Sequence, residues 1–166
     1  CQYDLVIIHH ALEVARKEWG LSLPINPVSQ LKIPNGIRRR ERRLEKGELE
    51  ALQKALNRSR NVYLWPAIEL AIETGMRRSE LLRLTWSDVC LDQHLASLKD
   101  TKNGYARTIP LTSKAINILD KLPKDSPRVL MTTEYALRQA WERLVKRAGI
   151  DNLRFHDLRH EAISRF

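Results

Sequence analysis

Three short segments hold the side chains that could do chemistry: Thr74-Gly75-Met76-Arg77-Arg78-Ser79-Glu80-Leu81, Thr101-Lys102-Asn103-Gly104 and His156-Asp157-Leu158-Arg159-His160. Arginine keeps its proton at any ordinary pH and presents a planar fork of donors, so Arg77 and Arg159 can hold an anion without joining in proton transfer. Lys102 carries a proton it can give up, and His156 can donate a hydrogen bond or pass a proton. On a helix, His156 and Arg159 stand three residues apart and share a face, so both can address one group. His156 and His160 stand four apart, a spacing at which two imidazoles can share a zinc ion with Asp157 as base. Against that, the chain offers no convincing third ligand and Arg159 would set a positive charge beside the ion, so neither metal nor cofactor is expected. Each segment also has a plainer reading. Arg77-Arg78 can be a basic helix start, Lys102 an exposed turn lysine, and His160 a packed side chain beside the site.

The elements that must position these residues are legible from periodicity and breakers. Leu5, Ile8, Leu12, Ala15 and Trp19 recur at helical spacing and predict an amphipathic helix over 3–19. Gly20, Pro24, Pro27, Pro34 and Gly36 then mark a segment that continues neither a helix nor a central strand. Helices follow at about 46–57, 63–73 and 77–84, the last two separated by Gly75. Short strands are predicted at 89–91, 95–99 and 106–111, the last two joined by a hairpin at Lys102-Asn103-Gly104, where Asn-Gly is a strong turn signal. Thr112 or Ser113 caps the next helix, a helix at about 133–148 ends at Gly149, and a last one runs from His156. No repeat and no low-complexity tract interrupts the pattern.

Twenty-nine Lys and Arg against 20 Asp and Glu give a formal charge of +9, which favours a polyanionic partner. Part of that charge is concentrated in Arg38, Arg39, Arg40, Arg42 and Arg43, either a solvated charge run or a set of guanidinium forks that contact phosphates without reading bases. Two cysteines, Cys1 and Cys90, lie far apart and argue for a reducing compartment rather than a disulfide framework. No apolar run approaches the ~20 residues that cross a bilayer, so no membrane association is expected.

The order and separation of the three segments, with Trp86-Ser87-Asp88-Val89 also between the two arginine boxes, resemble the tyrosine recombinase (phage integrase) family. That family's catalytic domain carries an arginine in a T-G-x-R-x-S-E-L segment, a lysine on a hairpin and an H-x-L-R-H helix. The resemblance covers roughly 44–166, and 3–27 is similar to the last helix of the family's core-binding domain and its exit. It implies a mainly α chain with a small antiparallel β-sheet, an α+β fold of the tyrosine-recombinase-like catalytic type. The implied division is the end of a core-binding domain over 1–30, a basic interdomain linker over 31–45, and a catalytic domain over 46–166 that is incomplete at its C-terminus.

The roles implied by the resemblance follow the chemistry of a DNA phosphodiester under attack, which gathers charge on two non-bridging oxygens that fixed positive donors stabilise better than water does. Arg77 and Arg159 match the family's phosphate-gripping arginines, His156 its hydrogen-bonding histidine, and Lys102 the acid that protonates the departing 5′ oxygen. Glu80 and His160 are supporting residues, and Arg38, Arg39, Arg40, Arg42, Arg43 and Arg78 are expected DNA contacts. The family's nucleophilic tyrosine follows the H-x-L-R-H helix, whereas Tyr3, Tyr63, Tyr105 and Tyr135 all precede it. The nucleophile is therefore expected beyond Phe166, and this fragment alone is expected to be inactive.

The implied activity is site-specific recombination or integration, of the kind found in mobile genetic elements, through a 3′-phosphotyrosine link that needs neither ATP nor cofactor. The implied partners are double-stranded DNA at specific sites and three further copies in a tetramer on DNA, with a monomer in its absence. A prokaryotic, cytoplasmic, DNA-associated location follows. Two rival readings are a non-catalytic DNA-binding remnant or regulator of the same fold and, with less support, a type IB topoisomerase.

Overall fold

The computed structural model describes residues 2–31, 40–99 and 106–165 and divides into two compact units, Cys1–Arg40 and Glu41–Phe166. In the first unit, helix α1 (Gln2–Glu18) is followed by a 3-10 turn at Pro27–Gln30. Asn26 joins the two. Its carbonyl oxygen accepts the Val28 N–H at 3.1 Å, and its amide donates to the His9 carbonyl at 3.0 Å and to Glu13 at 3.2 Å. The predicted apolar stripe is realised in part: Ala15 is buried and Leu5 and Leu12 are half-buried, but Ile8 and Trp19 are exposed.

The second unit contains α2 (Glu48–Ala55), α3 (Leu64–Thr74), α4 (Arg78–Arg83), β1 (Val89–Cys90), β2 (Leu95–Leu98), β3 (Arg107–Pro110), α5 (Ser113–Asp120), α6 (Glu134–Ala148) and α7 (Asp157–Ser164). Leu64, Ala67, Ile68, Leu70, Ala71 and Ile72 make α3 apolar nearly all round, and all six are buried. A helix of that character belongs at the centre, and α3 packs against α5, α6, α7 and α4. On α6 the buried positions Leu137, Trp141 and Leu144 follow helical spacing, with the Trp141 ring edge-on to Phe155 at 5.4 Å.

The helix ends are set by local chemistry. Thr112 and Thr133 each accept the N–H three residues on at 3.1 Å, and Gly149 closes α6 in the left-handed region. The α-helical part of α2 stops at Ala55, two residues before the expected end, because Leu56–Arg58 tightens into a 3-10 turn. The sheet is antiparallel in the order β1-β2-β3, with Ala96 opposite Val89 on one side and Ile109 on the other. β2 and β3 therefore form the predicted hairpin, while its tip, with Lys102, lies outside the described residues. A 3-10 turn at Trp86–Asp88 leads into β1, and an isolated bridge between Thr85 and Arg128 ties the exit of α4 to the loop before α6. This mainly α unit with a small antiparallel sheet is the predicted fold class.

Candidate functional site

The first segment is shaped by its own sequence. The Thr74 hydroxyl donates to the Leu70 carbonyl at 2.5 Å and accepts the Met76 N–H at 3.2 Å. Gly75 then takes φ 62°, where a side chain is strained, and Met76 turns into the core. Arg77 follows in extended conformation as the N-cap of α4, and Glu80 accepts its N–H at 2.7 Å in a capping box.

Glu80 does more than start a helix. Its Oε1 accepts from Arg77 Nη1 at 2.9 Å, and its Oε2 accepts from Arg107 Nη2 of β3 at 2.8 Å. The carboxylate is 3% exposed, whereas the guanidinium-bearing side chains of Arg77 and Arg107 are 31% and 33% exposed. Burial pushes the Glu80 pKa up, but the Arg77 N–H, the Arg77 guanidinium and the Arg107 charge outweigh it and hold the group below its ordinary range. A buried, ionised carboxylate thus fixes two partly open guanidiniums.

Helix α7 brings in the third segment. It lies so close to the end of α3 that a Cβ on Gly75 would sit 3.5 Å from Ala162 Cβ. That approach lets half-buried Arg159 donate from Nη1 to the Gly75 carbonyl. Desolvation lowers the proton affinity of Arg159, and the charges of Arg77 and Arg107 lower it further against the opposing pull of Glu80. Arg77 and Arg107 thus share one carboxylate, and Arg159 feels the charges of all three groups.

His156 precedes α7, exposed, with its ring edge-on to that of half-buried His160 at 5.5 Å. Partial desolvation, then the charges of His160, Arg159 and Arg77, hold its imidazole below the ordinary histidine range, against Asp157. These effects favour the neutral imidazole. Asp157, the base a zinc reading would need, is buried and accepts the Arg154 N–H at 2.7 Å. Among the described residues no three His, Cys, Asp or Glu side chains converge. Beside the cluster a hollow of 760 Å³ is lined by Arg77, Arg78, Arg138, Trp141, Arg154 and His156, among others.

Arg77, Glu80, His156, Arg159 and His160 are thus gathered within one unit by α3, α4 and α7. Lys102, Arg38 and Arg39 lie outside the described residues. Arg78 pairs with Glu134 at 2.5 Å, and Arg43 is exposed. Arg42 turns inward instead, onto Glu48 at 2.5 Å and Glu45 at 3.8 Å. The residue that sequence reasoning did not single out is Arg107. A signal for it existed, since Arg107 and the core residue Ile109 share strand parity, so an arginine stands on the covered face of β3.

The Phage integrase family model matches residues 42–166. A shufflon-specific DNA recombinase of Escherichia coli is 38% identical over 164 residues, covering 98% of this chain and 42% of that protein, so the chain spans less than half of that relative. A lambda integrase dimer bound to a COC′ core site superposes with a TM-score of 0.77 at 22% identity, over 96% of this chain and 63% of that one. A lambda integrase tetramer bound to a Holliday junction superposes with a TM-score of 0.75 at 22% identity, over 96% of this chain and 52% of that one. With three quarters of its length matched by the family model and the two arginine segments joined at one cluster, the chain belongs to the phage integrase family, the tyrosine recombinases.

Proposed function

We propose that the parent protein recombines DNA at specific sites by cutting one strand and rejoining another through a 3′-phosphotyrosine. The observation that carries this reading is that Arg159 bonds the Gly75 carbonyl, two residues before Arg77, whose guanidinium is held by buried Glu80. The tyrosine oxygen bonds to phosphorus and loses its proton while the bond to the 5′ oxygen breaks and that oxygen gains one. Arg77 and Arg159 hold the non-bridging oxygens, neutral His156 donates a hydrogen bond to one of them, and Lys102 supplies the proton to the leaving oxygen. Glu80 orients the cations, and His160 packs against His156. The nucleophile comes from a part of the parent outside this chain. The bond energy is kept in the covalent link, so no cofactor takes part.

The partners proposed are duplex DNA at recombination sites and further copies of the protein. The lambda integrase tetramer on a Holliday junction supports four protomers in the assembled state. The net charge and the arginine run support phosphate contact by Arg38, Arg39, Arg40, Arg43 and Arg78. Arg42, engaged with Glu48, is better read as a brace inside the second unit. These two roles separate by measurement. Arg43→Ala is expected to lower the slope of log K against log salt by about 0.9 with stability unchanged. Arg42→Ala is expected to leave the slope alone and to cost about 1.5–3 kcal/mol in thermal or urea unfolding, because Glu48 loses a charged hydrogen bond. The reverse pattern exchanges the two assignments.

The reading itself is tested by mixing full-length protein with two duplexes of different length, both carrying a site recovered by binding selection. Recombination predicts products joined from both duplexes. Salt-sensitive binding with no strand breakage favours a DNA-binding remnant, and relaxation of supercoiled plasmid lacking partner sites favours a topoisomerase.

A further inference from the structure

We infer that Arg107 is a third guanidinium of the scissile-phosphate site, adding its charge to those of Arg77 and Arg159 as the phosphorus becomes pentacoordinate. This rests on the strand-cleavage reading above. Arg107 opens β3 opposite Leu98 and faces the covered side of the sheet, where its Nη2 meets Glu80 Oε2 at 2.8 Å. It is as open to solvent as Arg77 on the other oxygen of the same carboxylate.

A brace for Glu80 alone would not require it. Arg77 already gives that carboxylate a backbone N–H and a guanidinium, enough to neutralise one negative charge. A second guanidinium on Glu80, with Arg159 nearby, leaves the cluster with an excess of positive charge that its members feel as repulsion. Behind the larger effect of desolvation, the charges of Arg77 and Arg107 both lower the proton affinity of Arg159. Uncompensated cations held in place by the fold are costly in the resting protein and favourable once an anion arrives. A phosphodiester brings one negative charge and its pentacoordinate state a second, so the excess matches the transition state better than the substrate.

The experiment uses full-length protein with Arg107→Ala, Arg107→Gln and Arg107→Lys, measuring duplex affinity, single-turnover cleavage at saturating protein, and thermal unfolding. Glutamine can still hydrogen-bond Glu80 but carries no charge; lysine keeps the charge. Loss of one preorganised donor to a developing charge costs ~10²–10³-fold, and a charge seated one group further back should cost at least ~10-fold. The expected result is cleavage slowed to that degree by both Ala and Gln, substantial recovery with Lys, and affinity within about threefold of wild type throughout. Cleavage by the Gln variant at the wild-type rate, or equal losses in all three variants together with a lowered melting temperature, would overturn the inference in favour of a structural brace. If the Ala variant does not fold, the contrast of Gln with Lys decides alone. Absence of cleavage by the wild-type protein would instead overturn the strand-cleavage reading itself.

Discussion

Full-length protein carrying Arg159→Ala is expected to bind its duplex within about threefold of wild type while strand cleavage falls by ~10²–10³-fold or more. Arg159 spends one nitrogen on the Gly75 carbonyl and is otherwise held, partly desolvated, beside two other guanidiniums. An environment that disfavours a charge until an anion arrives contributes little to binding at large and much to the state in which that anion is most negative. Arg77→Ala should lose cleavage to a similar degree but differ in stability. It removes a charged hydrogen bond from buried Glu80, at a cost of about 1.5–3 kcal/mol. Arg159→Ala gives up the bond to the Gly75 carbonyl but relieves repulsion from Arg77 and Arg107, so it should lower the melting temperature less than Arg77→Ala does. Gel shifts, single-turnover cleavage and thermal unfolding of the two variants check all three points, and equal loss of binding and cleavage would make both residues ordinary DNA contacts.

Lys102→Ala is expected to slow cleavage by ~10²–10⁴-fold, the usual contribution of a positioned acid, and to lose most of that deficit when the 5′ leaving oxygen is replaced by sulfur. A thiolate leaves without help, so the variant no longer lacks anything the reaction needs. The strands flanking Lys102 are paired in register, with Leu98 opposite Arg107, which keeps the hairpin's base beside the Glu80 cluster. Absence of rescue by sulfur would remove Lys102 from the acid role.

Much of the fold was legible because it is written locally. Thr112 and Thr133 cap, Gly75 and Gly149 terminate, and the Leu137-Trp141-Leu144 spacing names a buried face before any partner is known. Ile8 and Trp19 show the limit of periodicity: a stripe says what can be buried, and within the first unit Ala15 is the stripe residue fully covered. The site was legible where residues fall within one turn, as with Arg77 and Glu80, and also in the pairing of the Arg77 and Arg159 segments through resemblance to the family. Contacts between distant residues were not. Arg107 reaches Glu80 across 27 residues and Arg159 reaches Gly75 across 84, distances that no local spacing encodes. Arg42 was read as one of a run of like charges because Glu48, the residue that turns it inward, begins the following helix.

Strand cleavage by a tyrosine is tested by incubating full-length protein with a nicked duplex from which the 5′ fragment diffuses away, and mapping any covalent protein–DNA adduct by proteolysis and mass spectrometry. A phosphotyrosine mechanism predicts one adduct, through a tyrosine outside this chain to a 3′ phosphate, that is lost with Arg77→Ala and with Arg159→Ala. An adduct on Tyr3, Tyr63, Tyr105 or Tyr135, or tight binding that never yields an adduct, would contradict it.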